Sequence, residues 1–296
     1  MSHECELTII IVEHNCADLL RQCLRSVVTQ TRSITYAIVV ISNGSIAPDV
    51  RSLEAEFPSL HLIRTARNEG FAAANNVGLR WIEGRGQGSG VRSQGSEENP
   101  KSKIQNRLIQ HPTYVLLLNP DTLLHADAIG ALARFMDAHP DVGAAGPQLV
   151  RPDGRPQPYS HGDAPSPWYL LRRLWSHLRG TYLHAWSGSA AIDTGWVAGT
   201  CLIARRTAIR AVGPLDEQFF LYFEDVDWCL RMRAAGWRVT FVPGIAITHL
   251  GGGSAGAAAT QQYDRSLVRF YAKHYGGLMA ALAWWALRLY RSIRRR

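Results

Sequence analysis

An α/β fold, with a mostly parallel central sheet flanked by helices, is what this 296-residue sequence predicts. Three observations carry the prediction. Apolar runs rich in β-branched residues alternate with stretches of helical period. A chain that is 46% apolar and 19% charged has the apolar content to bury a large core. No internal repeat interrupts the alternation.

The elements follow in order. Residues 7–12 form an unbroken apolar run and predict a buried strand. Residues 17–30 predict a helix, because Leu20, Cys23, Leu24, Val27 and Val28 recur at three- and four-residue steps and define one apolar face. Strands are predicted at 36–41 and 60–63, a helix at 71–82, a strand at 115–118 and a helix at 123–139. Such a succession describes βαβ units covered by helices. Beyond it, the prolines between 147 and 167 and the turn Arg151-Pro-Asp-Gly154 predict a hairpin. A short helix is expected within the aromatic stretch 168–186 and a strand within 196–204. A helix at 224–235, stopped by Gly236, should precede two short strands at 237–242 and 245–248.

Residues 84–106 break the pattern. They are rich in Gly, Ser and charge, too polar to repay the entropy of ordering, so 84–108 is expected to be a disordered insertion. Its glycines do not make a phosphate loop: no apolar strand feeds them and no Gly-Lys-Ser/Thr closes them. The five cysteines are odd in number and scattered, which predicts buried free thiols. Glu4 and Glu6 precede the first strand where a secretory signal would be basic, so the chain is expected to be cytoplasmic.

Three segments could carry chemistry. In Val115-Leu-Leu-Leu-Asn-Pro-Asp-Thr122 an apolar strand ends in a polar turn, and ligands of open α/β sheets bind beyond such strand ends. Asp121 stands where a hard cation or a diphosphate would be held. Alternatively, Asp121 or Thr122 caps the following helix. In Phe219-Phe-Leu-Tyr-Phe-Glu-Asp-Val-Asp-Trp228 an aromatic run leads into acids at a helix start. Those acids suit the helix dipole, and the same position suits a general base for a hydroxyl group. In Ala246-Ile-Thr-His-Leu-Gly-Gly-Gly-Ser254 a histidine at a strand end opens into glycines that let backbone approach a ligand. A lone histidine is equally at home as a structural residue.

Taken in order, these segments resemble family 2 glycosyltransferases of the GT-A fold, most closely the bacterial branch of rhamnosyltransferases. The resemblance spans residues 7–275. It rests on Asn68-Glu-Gly-Phe-Ala-Ala-Ala-Asn-Asn76, Tyr114-Val-Leu-Leu-Leu-Asn-Pro-Asp-Thr122, His139-Pro-Asp-Val-Gly143, Trp196-Val-Ala-Gly-Thr200, Phe219-Phe-Leu-Tyr-Phe-Glu-Asp-Val-Asp227 and His249-Leu-Gly-Gly-Gly-Ser254. It implies that Asn119-Pro120-Asp121 is a variant Asp-X-Asp motif, with Asp121 binding Mg2+ or Mn2+ at the donor diphosphate and His249 a further metal or phosphate ligand. It implies Asp225 as catalytic base. Val12, Glu13, Ser42, Asn43, Asn68, Gly70 and Asn119 would line the nucleotide, while Gly199, Thr200 and Glu224 would lie near the sugar or acceptor. One departure stands out: Ser42 replaces the family's usual aspartate, losing charge and bidentate reach toward the nucleobase.

The implied activity is inverting transfer of rhamnose or a similar sugar from a dTDP- or UDP-sugar to an acceptor hydroxyl, in cell-surface polysaccharide or glycolipid assembly. The rival readings are a non-catalytic domain that binds nucleotide or glycan, motivated by Ser42, and a nucleotidyltransferase. The last lacks its glycine-rich basic loop, since Glu13-His-Asn-Cys16 stands there.

Residues 1–260 are expected to form the catalytic domain and 261–296 a helical, basic extension. The net charge of +8 is concentrated at its end, in Arg288, Arg291, Arg294, Arg295 and Arg296. The apolar run before Arg288 is too short to span a bilayer. Paired Trp284 and Trp285 beside arginines suit a membrane surface, so 276–296 is expected to touch the inner membrane from the cytoplasmic face, near a glycan or lipid-linked acceptor. The cluster has no recognisable nucleic-acid reading motif, and nucleic acid is not expected as a partner.

Overall fold

The computed structural model describes residues 6–46, 52–84, 112–179, 188–251 and 257–294. The expected insertion at 84–108 lies outside them from residue 85 onward, as do Gly252, Gly253 and Ser254, Cys5 and the final two arginines.

β1 (Leu7–Glu13) is buried along its whole length, as a run of Leu, Ile and Val with no polar alternation requires. It pairs in parallel with β2 (Tyr36–Asn43) on one side and β4 (Tyr114–Leu118) on the other, and β3 (Leu60–Thr65) extends the parallel set beyond β2. The crossovers are α1 (Ala17–Gln30), α2 (Ser52–Glu56) and α3 (Phe71–Ile82). α1 buries Leu20, Cys23, Leu24 and Val27 as its spacing predicts, but Val28 faces outward, being the residue at the margin of the stripe.

Beyond β4 the sheet is completed by β5 (Thr122–Leu123), β6 (Val142–Val150), β8 (Ile192–Asp193), β10 (Cys201–Arg205) and β11 (Arg238–His249), in the order β3-β2-β1-β4-β10-β6-β11-β5 with β8 also on β11. β7 (His161–Gly162) and β9 (Trp196–Val197) pair separately. β10 runs antiparallel to both neighbours, so β6 and β11 regain the direction of the first four strands and the sheet is mostly parallel. The remaining helices are α4 (Ala128–Ala138), α5 (Pro167–Leu178), α6 (Arg206–Val212), α7 (Glu224–Ala234) and α8 (Ala257–Arg294).

Three departures from the expected elements have physical causes. The helix expected from residue 123 begins at Ala128, because Asp127 caps it by accepting from the Gly130 amide, and Thr122–Leu123 is drawn into the sheet against β11. The two strands expected near 240 are one strand, whose register against β6 shifts between Val242 and Ala246. The domain boundary expected at 260 falls inside α8, and the first half of that helix belongs to the body: Leu267, Phe270 and Tyr271 are buried in the core. Gly276, with φ 84° and ψ 172°, breaks α8, and the second half folds back so that Arg291 reaches Asp264 at 2.6 Å. Cys16, Cys23, Cys201 and Cys229 are free thiols, and all but Cys16 are buried, as expected.

Candidate active site

The register of β5 against β11 sets the first half of the site. His249 pairs with Thr122, the residue after Asp121, so the β4–β5 turn and the end of β11 meet. The Leu250 amide donates to the Asp121 carbonyl at 2.8 Å, and His249 Nε2 lies 3.2 Å from Asp121 Oδ1. The other ring nitrogen, Nδ1, lies 2.9 Å from Gln157 Oε1. With Nδ1–H donating to Gln157, Nε2 presents its lone pair to a carboxylate oxygen. A cation placed between two such acceptors would be bound by both.

The residues therefore fit a divalent metal. Neighbouring ligands of one ion with bonds of about 2.1 Å sit about 3 Å apart, and a second-shell acceptor orients the imidazole. Among the described residues no cluster of three or more His, Cys, Asp or Glu could hold an ion. Asp121 and His249 thus form a partial set, of the kind that substrate phosphates complete.

The second half is the start of α7. Tyr222 and Phe223 both have φ near +69°, a left-handed conformation that bulky residues adopt only when the surroundings enforce it. The enforcement is visible. The Phe71 amide donates to the Phe220 carbonyl at 2.7 Å, Ser266 Oγ donates to the Leu221 carbonyl at 2.7 Å, and Tyr263 packs on both aromatic rings. Gly70, at φ 89°, has no room for a side chain, since a Cβ there would stand 2.4 Å from the Phe220 carbonyl oxygen.

Out of this turn come Glu224 and Asp225. Burial pushes both carboxyls above the ordinary range, and the charge of Asp225 pushes Glu224 further. Asp225 is held lower by the Gly199 amide, which donates to Oδ2 at 2.8 Å, and by the Val226 amide, which donates to Oδ1 at 2.8 Å. Glu224 is 4% exposed and, among the described residues, its Oε2 has no hydrogen-bond partner. The two environments differ: two backbone amides favour the charged form of Asp225, while burial and the neighbouring carboxyl disfavour that of Glu224.

The segment 198–200 links the halves. Gly199 binds Asp225, while the Thr200 carbonyl accepts from the Asn119 amide at 2.9 Å. Asn119, Asp121, Gly199, Thr200, Glu224, Asp225 and His249 all line one cavity of about 390 Å3. Its walls include Gln157, Tyr159 and Tyr169, with Tyr263, Leu267 and Tyr271 of α8. A larger groove, about 1190 Å3, lies between the two halves of α8 and contains none of the site acids discussed so far.

Asp227, the third acid of the α7 cluster, turns away from the cavity. It is 0% exposed and meets Arg231 at 2.8 Å, Lys273 at 2.7 Å and His274 at 2.8 Å. Burial alone would raise its pKa, but hydrogen bonds from His274 and Lys273 and the charge of Arg231 hold it down at about 2. It is the anchor between α7 and α8.

The residues expected to line a nucleotide stand at the ends of β1 and β2 and before α3, and none of them borders the cavity except Asn119. Several have committed their polar atoms to the fold. Asn43 Nδ2 donates to Asn68 Oδ1 at 3.0 Å, and Asn43 Oδ1 accepts from the Glu69 amide at 2.9 Å. Asn68 Oδ1 also accepts from Gly70. Glu13 Oε1 accepts from the Cys16 amide and Ser45 Oγ, leaving buried Oε2 without a partner. Val12 and Ser42 are buried at the same strand ends.

Residues 4–269 match the family model described as glycosyltransferase like family 2. The chain belongs to that family. This glycosyltransferase is 27% identical, over 95% of its length and 89% of the other chain, to the N-acetylglucosaminyl-diphospho-decaprenol L-rhamnosyltransferase of Mycobacterium tuberculosis. It is 23% identical to the dTDP-rhamnosyl transferase RfbF of Shigella flexneri, over 76% of its own length and 64% of that protein. Among solved structures, the mannosyltransferase PcManGT of Pyrobaculum calidifontis, in complex with GDP-Man and Mn2+, superposes with a TM-score of 0.57 at 16% identity, over 94% of this chain and 73% of that one. GalNAc-T7, with UDP, GalNAc and Mn2+, gives 0.58 at 14% identity over 92% of this chain, which spans about half (51%) of that structure. The GT-A fold expected from the sequence is the fold observed.

Gln157, Lys273 and His274 were not foreseen. Gln157 is 92 residues from His249, and His274 is 47 from Asp227, so no local spacing marks either partnership.

Proposed function

We propose that the chain is an inverting rhamnosyltransferase, moving rhamnose or a similar sugar from a dTDP- or UDP-sugar to a glycan or lipid-linked acceptor in cell-surface polysaccharide or glycolipid assembly. The observation that carries the reading is the Asp225 carboxyl, fixed by two backbone amides and lining one cavity with the Asp121–His249 pair. The names of the relatives supply the sugar.

Asp225 takes the proton of the acceptor hydroxyl as that oxygen attacks the anomeric carbon. Burial raises its pKa, which makes its carboxylate a stronger base than that of an exposed aspartate. Glu224 lies beside it to meet a sugar or acceptor oxygen. Asp121 and His249 would hold Mg2+ or Mn2+, whose positive charge would offset the negative charge that grows on the departing nucleoside diphosphate. Gly199 and Thr200 position the sugar between the two halves. The nucleotide lies along the ends of β1 and β2, with Asn43, Asn68 and Gly70 shaping its cradle, Ser42 and Glu13 beneath it and Val12 and Asn119 at its edge. A single displacement needs no second carboxylate on the opposite face of the sugar. Nothing in the fold or the comparisons supports the non-catalytic reading.

Among the described residues no helix is long and apolar enough to cross a membrane. The second half of α8 turns Leu278, Leu282 and Trp285 outward while Ala280 and Ala283 pack inward. That face is suited to rest on the cytoplasmic surface of the inner membrane, where a lipid-linked acceptor would be found.

The test is transfer from dTDP-rhamnose, with a panel of UDP-sugars beside it, to a lipid-diphosphate-linked N-acetylglucosamine, with and without Mn2+. Asp225→Asn and Asp121→Ala should each lower the rate at least about a hundredfold with the melting temperature preserved. Retained transfer in both variants would refute the assignment.

A further inference from the structure

α5 carries an unusual surface beside the cavity. Trp168, Arg172, Trp175 and Arg179 stand at steps of four, three and four residues, which places them on one stripe of the helix and its C-terminal turn. Trp168 is 69% exposed and Trp175 60%, while Tyr169 and Ser176, on another face, are buried. Tyr169 lines the cavity together with Pro165, so the stripe begins one residue from the cavity wall. A soluble helix of this length covers its indoles or replaces them with charge. Alternation of indole and guanidinium along an exposed face is instead what a lipid–water interface accommodates: indoles at the level of the headgroups, guanidinia on the phosphates.

We propose that α5 docks on an anionic bilayer surface through Trp168, Arg172, Trp175 and Arg179, and thereby sets the cavity mouth at the membrane. Its consequence for catalysis rests on the lipid-linked acceptor reading above, but the docking itself does not. Charge complementarity argues for this occupant. Among the described residues the stripe's acidic partner is Asp163, 3.7 Å from Arg172 in a pair exposed on both sides. Such a pair is worth little and yields to lipid phosphates. A glycan stacked on the indoles is the less fitting occupant, because the Arg179 guanidinium lies 3.5 Å from the centre of the Trp175 ring and occupies a face that a sugar would use. The stripe adds a second contact to the one proposed for the second half of α8. Two contacts orient the molecule where one would only tether it.

The experiment is flotation of the full-length chain with vesicles containing phosphatidylglycerol and with vesicles of phosphatidylcholine alone. The wild type should float with the anionic vesicles. Trp168→Ala with Trp175→Ala, and separately Arg172→Glu with Arg179→Glu, should each weaken that association roughly tenfold or more at unchanged melting temperature. Both pairs are exposed, and the charge-reversed pair leaves the apolar side chains intact, so loss of folding in one variant leaves the other to decide. Leu278→Ser with Leu282→Ser reports α8 separately. The proposal is overturned if the wild type stays with the pellet, if only the α8 variant loses flotation, or if the α5 variants float normally and instead lose affinity for a soluble oligosaccharide acceptor. Flotation requires no transfer. A wild type that floats but transfers no sugar would refute the proposed activity and leave the docking surface standing.

Discussion

Replacing Asp227 with asparagine tests whether the acid really anchors α7 to α8. The native carboxylate sits at about 2, against 3.8 for a free aspartate, because Lys273, His274 and Arg231 converge on it. A depressed pKa contributes stability that is fully present above the unfolded value and is lost as pH falls through the folded one. The shift of about 1.8 units corresponds to roughly 2 kcal/mol at about 1.36 kcal/mol per unit. Asparagine keeps the shape but loses the charge that Lys273 and Arg231 meet, so Asp227→Asn should cost at least that much at pH 7 and up to about 5 kcal/mol. Equilibrium urea unfolding of both proteins, repeated from pH 7 down to pH 2, isolates the acid, since every other carboxylate is shared. The difference between them should shrink by about 2 kcal/mol below about pH 4. A difference that stays constant across this range would refute the assignment of Asp227 as an ionised anchor.

Gly199→Ala should reduce transfer about tenfold or more with little change in stability, since the new methyl would meet Phe71 at 3.3 Å and the Asp225 side chain at 3.4 Å and displace the base from its amide; steady-state rates at saturating acceptor decide it. Gln157→Ala should weaken Mn2+ activation some tenfold to a hundredfold while His249 remains in place, read from the metal concentration giving half-maximal rate. The acid limb of the pH–rate profile should lie above the ordinary aspartate range, because activity is lost as Asp225 takes up its proton. A limb at or below pH 3.8 would remove Asp225 from the role of base.

The fold was largely legible because its signal is local. The unbroken apolar runs of β1 and β4 and the stripe of α1 state their elements within a few residues. Where the reading slipped, a tertiary partner had intervened: Thr122–Leu123 was taken from the predicted helix by β11, and residues 261–275 joined the body through a core that local pattern does not reveal. The site divides in the same way. Asp121, Asp225 and His249 could be marked because strand ends and helix starts are where such groups act. What distinguishes Asp225, the proposed base, from Asp227, the anchor, is which side of α7 faces Gly199 and which faces Lys273, and that depends on chain far away in sequence.

The dependence of α7 on α8 also bears on synthesis. Ser266 fixes the strained turn, and Lys273 and His274 hold the acid beneath it. A nascent chain that has emerged only through β11 already contains Asp121, Asp225 and His249, yet lacks the residues that fix the turn before Asp225. The order of translation therefore delays the finished cavity until α8 has left the ribosome and docked, and a chain cut short before it would own the proposed catalytic groups without the means to align them.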